Sequence, residues 1–214
     1  ADFSVKIAPS METVKVNTGK HYRGIIKGQK SSVAAVSIIN GEIIGFISHP
    51  MAKGNLVIGK LENDARHILY QDDQISNLFS FDCQAKDNTV QYTKEQLRGS
   101  SDGSARALSD CVRLYLEVDH DIYLNKGSSV PNVTSFVTGL FNQVSTLYSN
   151  EQINTVVSEI VVWTVPSPYN GTTSIAMLNA FTAYRQGFNG DLAQLLSYKA
   201  SGGVAYVDGL CRSN

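Results

Sequence analysis

The sequence predicts an α+β protein in two parts: an antiparallel β-region over residues 1–98, then an alternating strand and helix region over 111–214 with a mixed, mostly parallel sheet. Three observations carry this reading. Asn40-Gly41 joins two apolar, β-branched runs, Ser31 to Ile39 and Glu42 to Ser48. It is the strongest short hairpin signal, because both central residues of that turn take positive φ. Later, Val133, Phe136, Val137, Leu140, Phe141, Val144 and Leu147 fall three and four residues apart, which predicts a helix over 132–149 with one apolar stripe. Between the two parts, GSSDGSARALSD at 99–110 is small, polar and without apolar period, so it reads as an exposed linker.

The other elements follow in order. His21 to Lys27, Asn55 to Leu61 and Arg66 to Gln71 read as further strands, the last two joined by the turn formers Asn63-Asp64. No helix-period stripe precedes Thr93, so a meander of antiparallel strands is expected. Val112 to Val118 and Ile153 to Trp163 read as strands, and Pro131 suits the start of the helix between them. Ser174 to Gln186 reads as a second helix, and Leu195 to Tyr198 and Gly203 to Val207 as short strands. This alternation implies right-handed crossovers between parallel strands.

Composition excludes several function classes. With 43% apolar and 17% charged residues, the 214-residue chain can bury a real core. A net charge of -1 offers no basic stripe for a nucleic acid. The apolar runs, such as Ile153 to Val165, are interrupted by Asn, Ser and Glu and fall short of the roughly 20 residues a membrane span needs. No signal peptide is visible at Ala1, although a mature or trimmed chain would look the same. There is no phosphate-binding glycine loop, nucleophile elbow or C-x-x-C pair. Asn132-Val-Thr and Asn170-Gly-Thr fit the N-glycosylation pattern. The three cysteines, Cys83, Cys111 and Cys211, cannot all pair within one chain.

From Cys111, the order CVRLYLEVDHDIY, FVTGLFNQVSTLY, INTVVSEIVVW, DLAQLLSY, GGVAYVDGLC resembles the upper catalytic subdomain of reprolysin-like (adamalysin or ADAM-type) metzincins. DLAQLLSY resembles the family's D-x-A-x-L-L, and GGVAYVDGLC its G-x-A-Y-V-x-x-x-C edge strand. That strand pairs with the substrate backbone in the family, so the resemblance implies that Gly203, Val204, Ala205, Tyr206 and Val207 form the upper rim of a substrate cleft. It implies zinc for the full-length enzyme, yet no H-E-x-x-H-x-x-G-x-x-H helix occurs here. The four histidines, His21, His49, His67 and His120, show no i, i+4 pair, so no catalytic residue and no metal are expected in this chain. His120, in a V-D-H sequence frequent in the family, reads as structural.

The resemblance also carries weaker assignments. Asp191 matches one carboxylate of a calcium site found in several reprolysins, but Arg113 stands where the family has a Glu, leaving Asp191 a weak calcium candidate or a cap on a helical turn at Leu192. HYRGIIKGQKSSVAAVSIINGEIIGFI resembles a reprolysin propeptide. Cys83 is then the candidate cysteine switch, weighed against a buried structural Cys, and Arg106 the candidate processing point. By resemblance Cys211 pairs beyond the zinc helix. The implied function is a secreted precursor of a zinc-dependent endopeptidase, inactive over these 214 residues, with protein or peptide substrates and its own propeptide as partners. The alternative is a non-catalytic, protease-derived binding protein capturing extended peptides on the edge strand.

Overall fold

The computed structural model describes residues 3–61, 64–76 and 111–206. Cys83, Arg106, Val207, Cys211, Asn63 and the linker expected over 99–110 lie outside these residues. Seven strands come first: β1 (Ser4–Ala8), β2 (Glu12–Val14), β3 (Lys20–Ile26), β4 (Gln29–Ile39), β5 (Glu42–Ser48), β6 (Leu56–Lys60) and β7 (His67–Gln71). Then follow β8 (Val112–Val118), α1 (His120–Asn125), α2 (Val130–Asn150), β9 (Thr155–Trp163), α3 (Ser174–Tyr184) and β10 (Leu192–Leu196).

Strands β3 to β7 form an antiparallel meander in chain order, as expected. Its central hairpin turns at Asn40 and Gly41, with φ of 51° and 81°, and pairs Ile39 with Glu42. The second sheet has the order β10-β8-β9-β1-β2 and is mixed. Its strands β10, β8, β9 and β1 run parallel, and β2 returns antiparallel on β1. The helices supply the long connections that neighbouring parallel strands require.

This pairing joins the expected 1–98 and 111–214 regions in one sheet. Strand β1 pairs with β9 from Ser4 opposite Glu159 to Ala8 opposite Trp163, placing residues 3–14 in the carboxyl-terminal sheet. The reason is visible in burial. Val5 joins Leu116, Val118, Ile122, Val133, Val137, Val157, Ile160 and Val162 in one core. Ala8 joins Tyr115, Val161, Trp163, Tyr169, Met177 and Phe181 in the other. Ser4-Val5-Lys6-Ile7 alternates polar and apolar residues as a half-buried strand does, but nothing in it names its partner strand.

Helix α2 lies between the two sheets. Ser129 Oγ accepts from Asn132 N at 3.4 Å to cap it, and Pro131 sits in its first turn. Val133 and Val137 face the second sheet's core, but Leu140, Val144 and Leu147 are 38%, 36% and 50% exposed. The expected stripe is therefore buried only in part. A second, small and polar face meets the meander instead: Ser135, Gly139, Asn142 and Ser145. Asn142 Nδ2 approaches Tyr22 O and Val36 O at 3.4 Å and Ser37 Oγ at 3.2 Å. Arg23 Nη2 donates to Ser145 Oγ at 2.7 Å, and a Cβ on Gly139 would stand 3.3 Å from Ile44 Cδ1.

Two further expectations shift. Strand β10 begins at Leu192, earlier than the expected Leu195, and the strand expected from Gly203 is reduced to a bridge at Gly203 with no strand over Val204 to Tyr206. After β10 the chain turns onto the carboxylates of the buried Asp119 and the half-buried Asp121, and Gly202 takes a φ of 81°. Among the described residues no helix is long and apolar enough to cross a membrane.

Candidate functional site

In open parallel sheets, binding residues collect beyond the carboxyl ends of the strands. Here Asp119 follows β8, Trp163 ends β9, and Ser197 to Lys199 follow β10. Asp119 is fully buried and caps α1 by accepting from His120 N at 2.7 Å. Its carboxylate also accepts from Ser167 Oγ at 2.5 Å, Ser197 Oγ at 2.8 Å and Lys199 Nζ at 3.0 Å. Lys199 Nζ donates in addition to Tyr169 O at 2.7 Å. Asp121 Oδ2 takes the backbone N–H of Tyr198 at 2.7 Å. Charge-assisted bonds of this kind, made out of water, fix geometry more firmly than neutral ones.

Their effect is to anchor the chain entering residues 200–206. Ser174 Oγ donates to Ser201 O at 2.7 Å, and Tyr206 Oη reaches Asn179 Oδ1 at 3.4 Å, so the segment runs beside α3. Of the expected rim, Gly203 to Tyr206 are described; all but the half-buried Val204 are exposed, and they form no strand.

A second buried carboxylate, Glu117 on β8, is one that sequence reasoning missed. Glu117 accepts from Trp163 Nε1 at 2.6 Å, Tyr169 Oη at 2.5 Å, Tyr115 Oη at 2.6 Å, and Arg185 through Nε at 2.8 Å and Nη2 at 3.1 Å. Burial, and then the Glu117 charge, pushes both tyrosine hydroxyls well above the ordinary range, so they act as donors. Burial pulls Arg185 down, but its bonds to Glu117 outweigh this and hold it above its ordinary value. The signal was an acidic residue inside the apolar strand VRLYLEV, since a buried Glu needs partners.

The donor chemistry of the described residues does not fit zinc. His21 Nδ1 meets Ser37 Oγ at 2.8 Å and its Nε2 meets Thr18 O at 2.9 Å. His67 Nε2 accepts from Ile43 N, His49 Nδ1 accepts from Met51 N, and His120 Nδ1 meets Trp163 O at 3.2 Å. Among the described residues no three His, Cys, Asp or Glu side chains are placed to hold a metal ion.

At the calcium candidate, Asp191 Oδ2 accepts from Arg113 N at 2.7 Å, and Asp191 N donates to Arg113 O at 2.7 Å. Asp191 therefore pins the start of β10 to β8 and caps no helical turn, because Leu192 opens a strand. The Arg113 side chain is held by Asn189, Nη2 donating to Oδ1 at 2.5 Å.

Residues 111–214 match the family described as Reprolysin (M12B) family zinc metalloprotease. This region of the chain is reprolysin-like, and the proteins of that family are zinc metalloproteases. A search of curated proteins returns no match.

Proposed function

We propose that this chain is the precursor portion of a secreted, zinc-dependent endopeptidase of the reprolysin-like class, acting on proteins or peptides. The family match over residues 111–214 is the observation that carries the reading. The anchored, exposed segment at Gly203, Val204, Ala205 and Tyr206, continuing to Val207, would bind the substrate backbone as an added strand. Asp119 and Lys199 set where that segment leaves the sheet. Cys83 would serve latency and Arg106 processing. Zinc is a cofactor of the family, and because the described residues do not fit it, its ligands must come from sequence other than theirs.

The test is to read the coding sequence past Asn214 and express the extended protein. Hydrolysis of an internally quenched peptide that stops on adding a chelator supports the reading. An extended protein that retains full hydrolysis in chelator, or has no metal-binding helix and no hydrolysis, overturns it.

A further inference from the structure

Two Asn-x-Thr triplets in the reprolysin-like region share one sequence chemistry and stand in opposite structural settings. Asn170-Gly171-Thr172 lies in the connection from β9 to α3, a surface loop stiffened by Pro166 and Pro168. Asn170 and Thr172 are exposed, and among the described residues nothing engages either side chain. Gly171 seats the loop on α3: a Cβ there would stand 2.7 Å from Met177 N, so only glycine lets the backbone come this close. The loop is held on both sides of the triplet, by Lys199 Nζ donating to Tyr169 O at 2.7 Å and by Thr173 Oγ1 accepting from Ala176 N at 3.2 Å. Asn132-Val133-Thr134 is instead wound into the first turn of α2. Val133 and Thr134 are fully buried, and Thr134 Oγ1 donates to Val130 O at 2.9 Å. Asn132 is exposed, but its Nδ2 donates to Lys126 O at 3.1 Å. Both polar groups of this triplet are committed to backbone carbonyls.

We propose that Asn170 is an N-glycosylation site and that Asn132 is not, a proposal that rests on the reading that the chain is secreted. The donor is an oligosaccharide carried on a lipid pyrophosphate. Asn170 Nδ2 bonds to the anomeric carbon of the sugar, and the bond from that carbon to the pyrophosphate oxygen breaks. The lipid pyrophosphate leaves with the electron pair and one proton passes from Nδ2 to a base, so no oxidant or reductant is needed. Acceptors of this kind belong to surface loops, where the Asn amide and the Thr hydroxyl two residues on are reached together. The modification adds a bulky, solubilising group. It would stand on a loop tied to residues 199–201, through Lys199 on one side and through Ser174 Oγ donating to Ser201 O at 2.7 Å on the other. That stretch leads directly into Gly203 to Tyr206.

The test translates the full chain behind an added signal peptide in the presence of endoplasmic-reticulum microsomes, and scores only chains protected from external protease. Protected wild-type chain is expected to carry a single glycan, seen as slower gel migration that peptide N-glycosidase reverses. Asn170→Gln and Thr172→Ala are each expected to abolish the shift, and Asn132→Gln to leave it unchanged. Protected wild-type chain without a glycan overturns the proposal. So does a shift that survives Asn170→Gln or changes in Asn132→Gln. Because the signal peptide is supplied, these outcomes do not depend on where the natural chain is sent. The secretion reading fails separately, if the natural coding sequence directs no export.

Discussion

At Glu117, five hydrogen bonds converge on one carboxylate: from Tyr115 on its own strand, Trp163 on β9, Tyr169 in the loop that follows, and two from Arg185 at the end of α3. Replacing it by Gln leaves the Arg185 guanidinium, 14% exposed, without its counter-charge. Glu117→Gln is expected to lower stability by about 3–5 kcal/mol, because a buried charge loses its pair. Tyr115→Phe removes one donor and is expected to cost about 1–2 kcal/mol. Urea midpoints of the two variants check this order. His21 gives a pH prediction. Burial lowers its pKa below 6.5, partly offset by the bond to Thr18. The unfolded chain then binds the proton more readily than the folded one, so stability falls as pH drops through about 6.5 and levels off below the folded pKa. Replacing His21 by Gln should flatten that part of the profile of stability against pH, measured by denaturant titration.

Helix α2 shows how far one apolar stripe can be trusted. Its existence and its start were legible from spacing and from Pro131, yet half the stripe is exposed and a row of Ser, Gly and Asn is buried. Small polar residues read as solvated in a pattern, but they let a sheet approach closely and bond to the helix. The meander was legible because its central turn carries Asn-Gly chemistry and its strands pair with chain neighbours. The place of strand β1 was not, since its partner β9 lies 155 residues away and local alternation does not name it. The motif at Gly203 to Tyr206 stands in the sequence, whereas the carboxylates bonded to the segment before it, Asp119 after β8 and Asp121 in α1, carry no local signal of that role. At this scale Gly139→Ala should be near neutral, since a helix gain of about 1 kcal/mol offsets the tight contact with the flexible end of Ile44. Gly139→Leu should instead cost about 1–3 kcal/mol by forcing α2 and β5 apart. Thermal melts of the two variants separate these outcomes.

The whole molecule joins a reprolysin-like region to amino-terminal strands through a shared sheet and a shared helix. Its chemistry is expected to need groups from elsewhere: the 214-residue chain should bind no stoichiometric zinc after dialysis, and one tightly held zinc per chain by elemental analysis would contradict the donor geometry described above. The central structural claim is that β1 is as much a part of the carboxyl-terminal sheet as β8 and β9. Amide hydrogen exchange on the intact chain tests it most directly. Protection of Val5 to Ala8 matching that of Leu116 and Ile160 is the predicted result, because all lie in one cooperative unit. Rapid exchange at Val5 to Ala8 while β8 and β9 stay protected would contradict it.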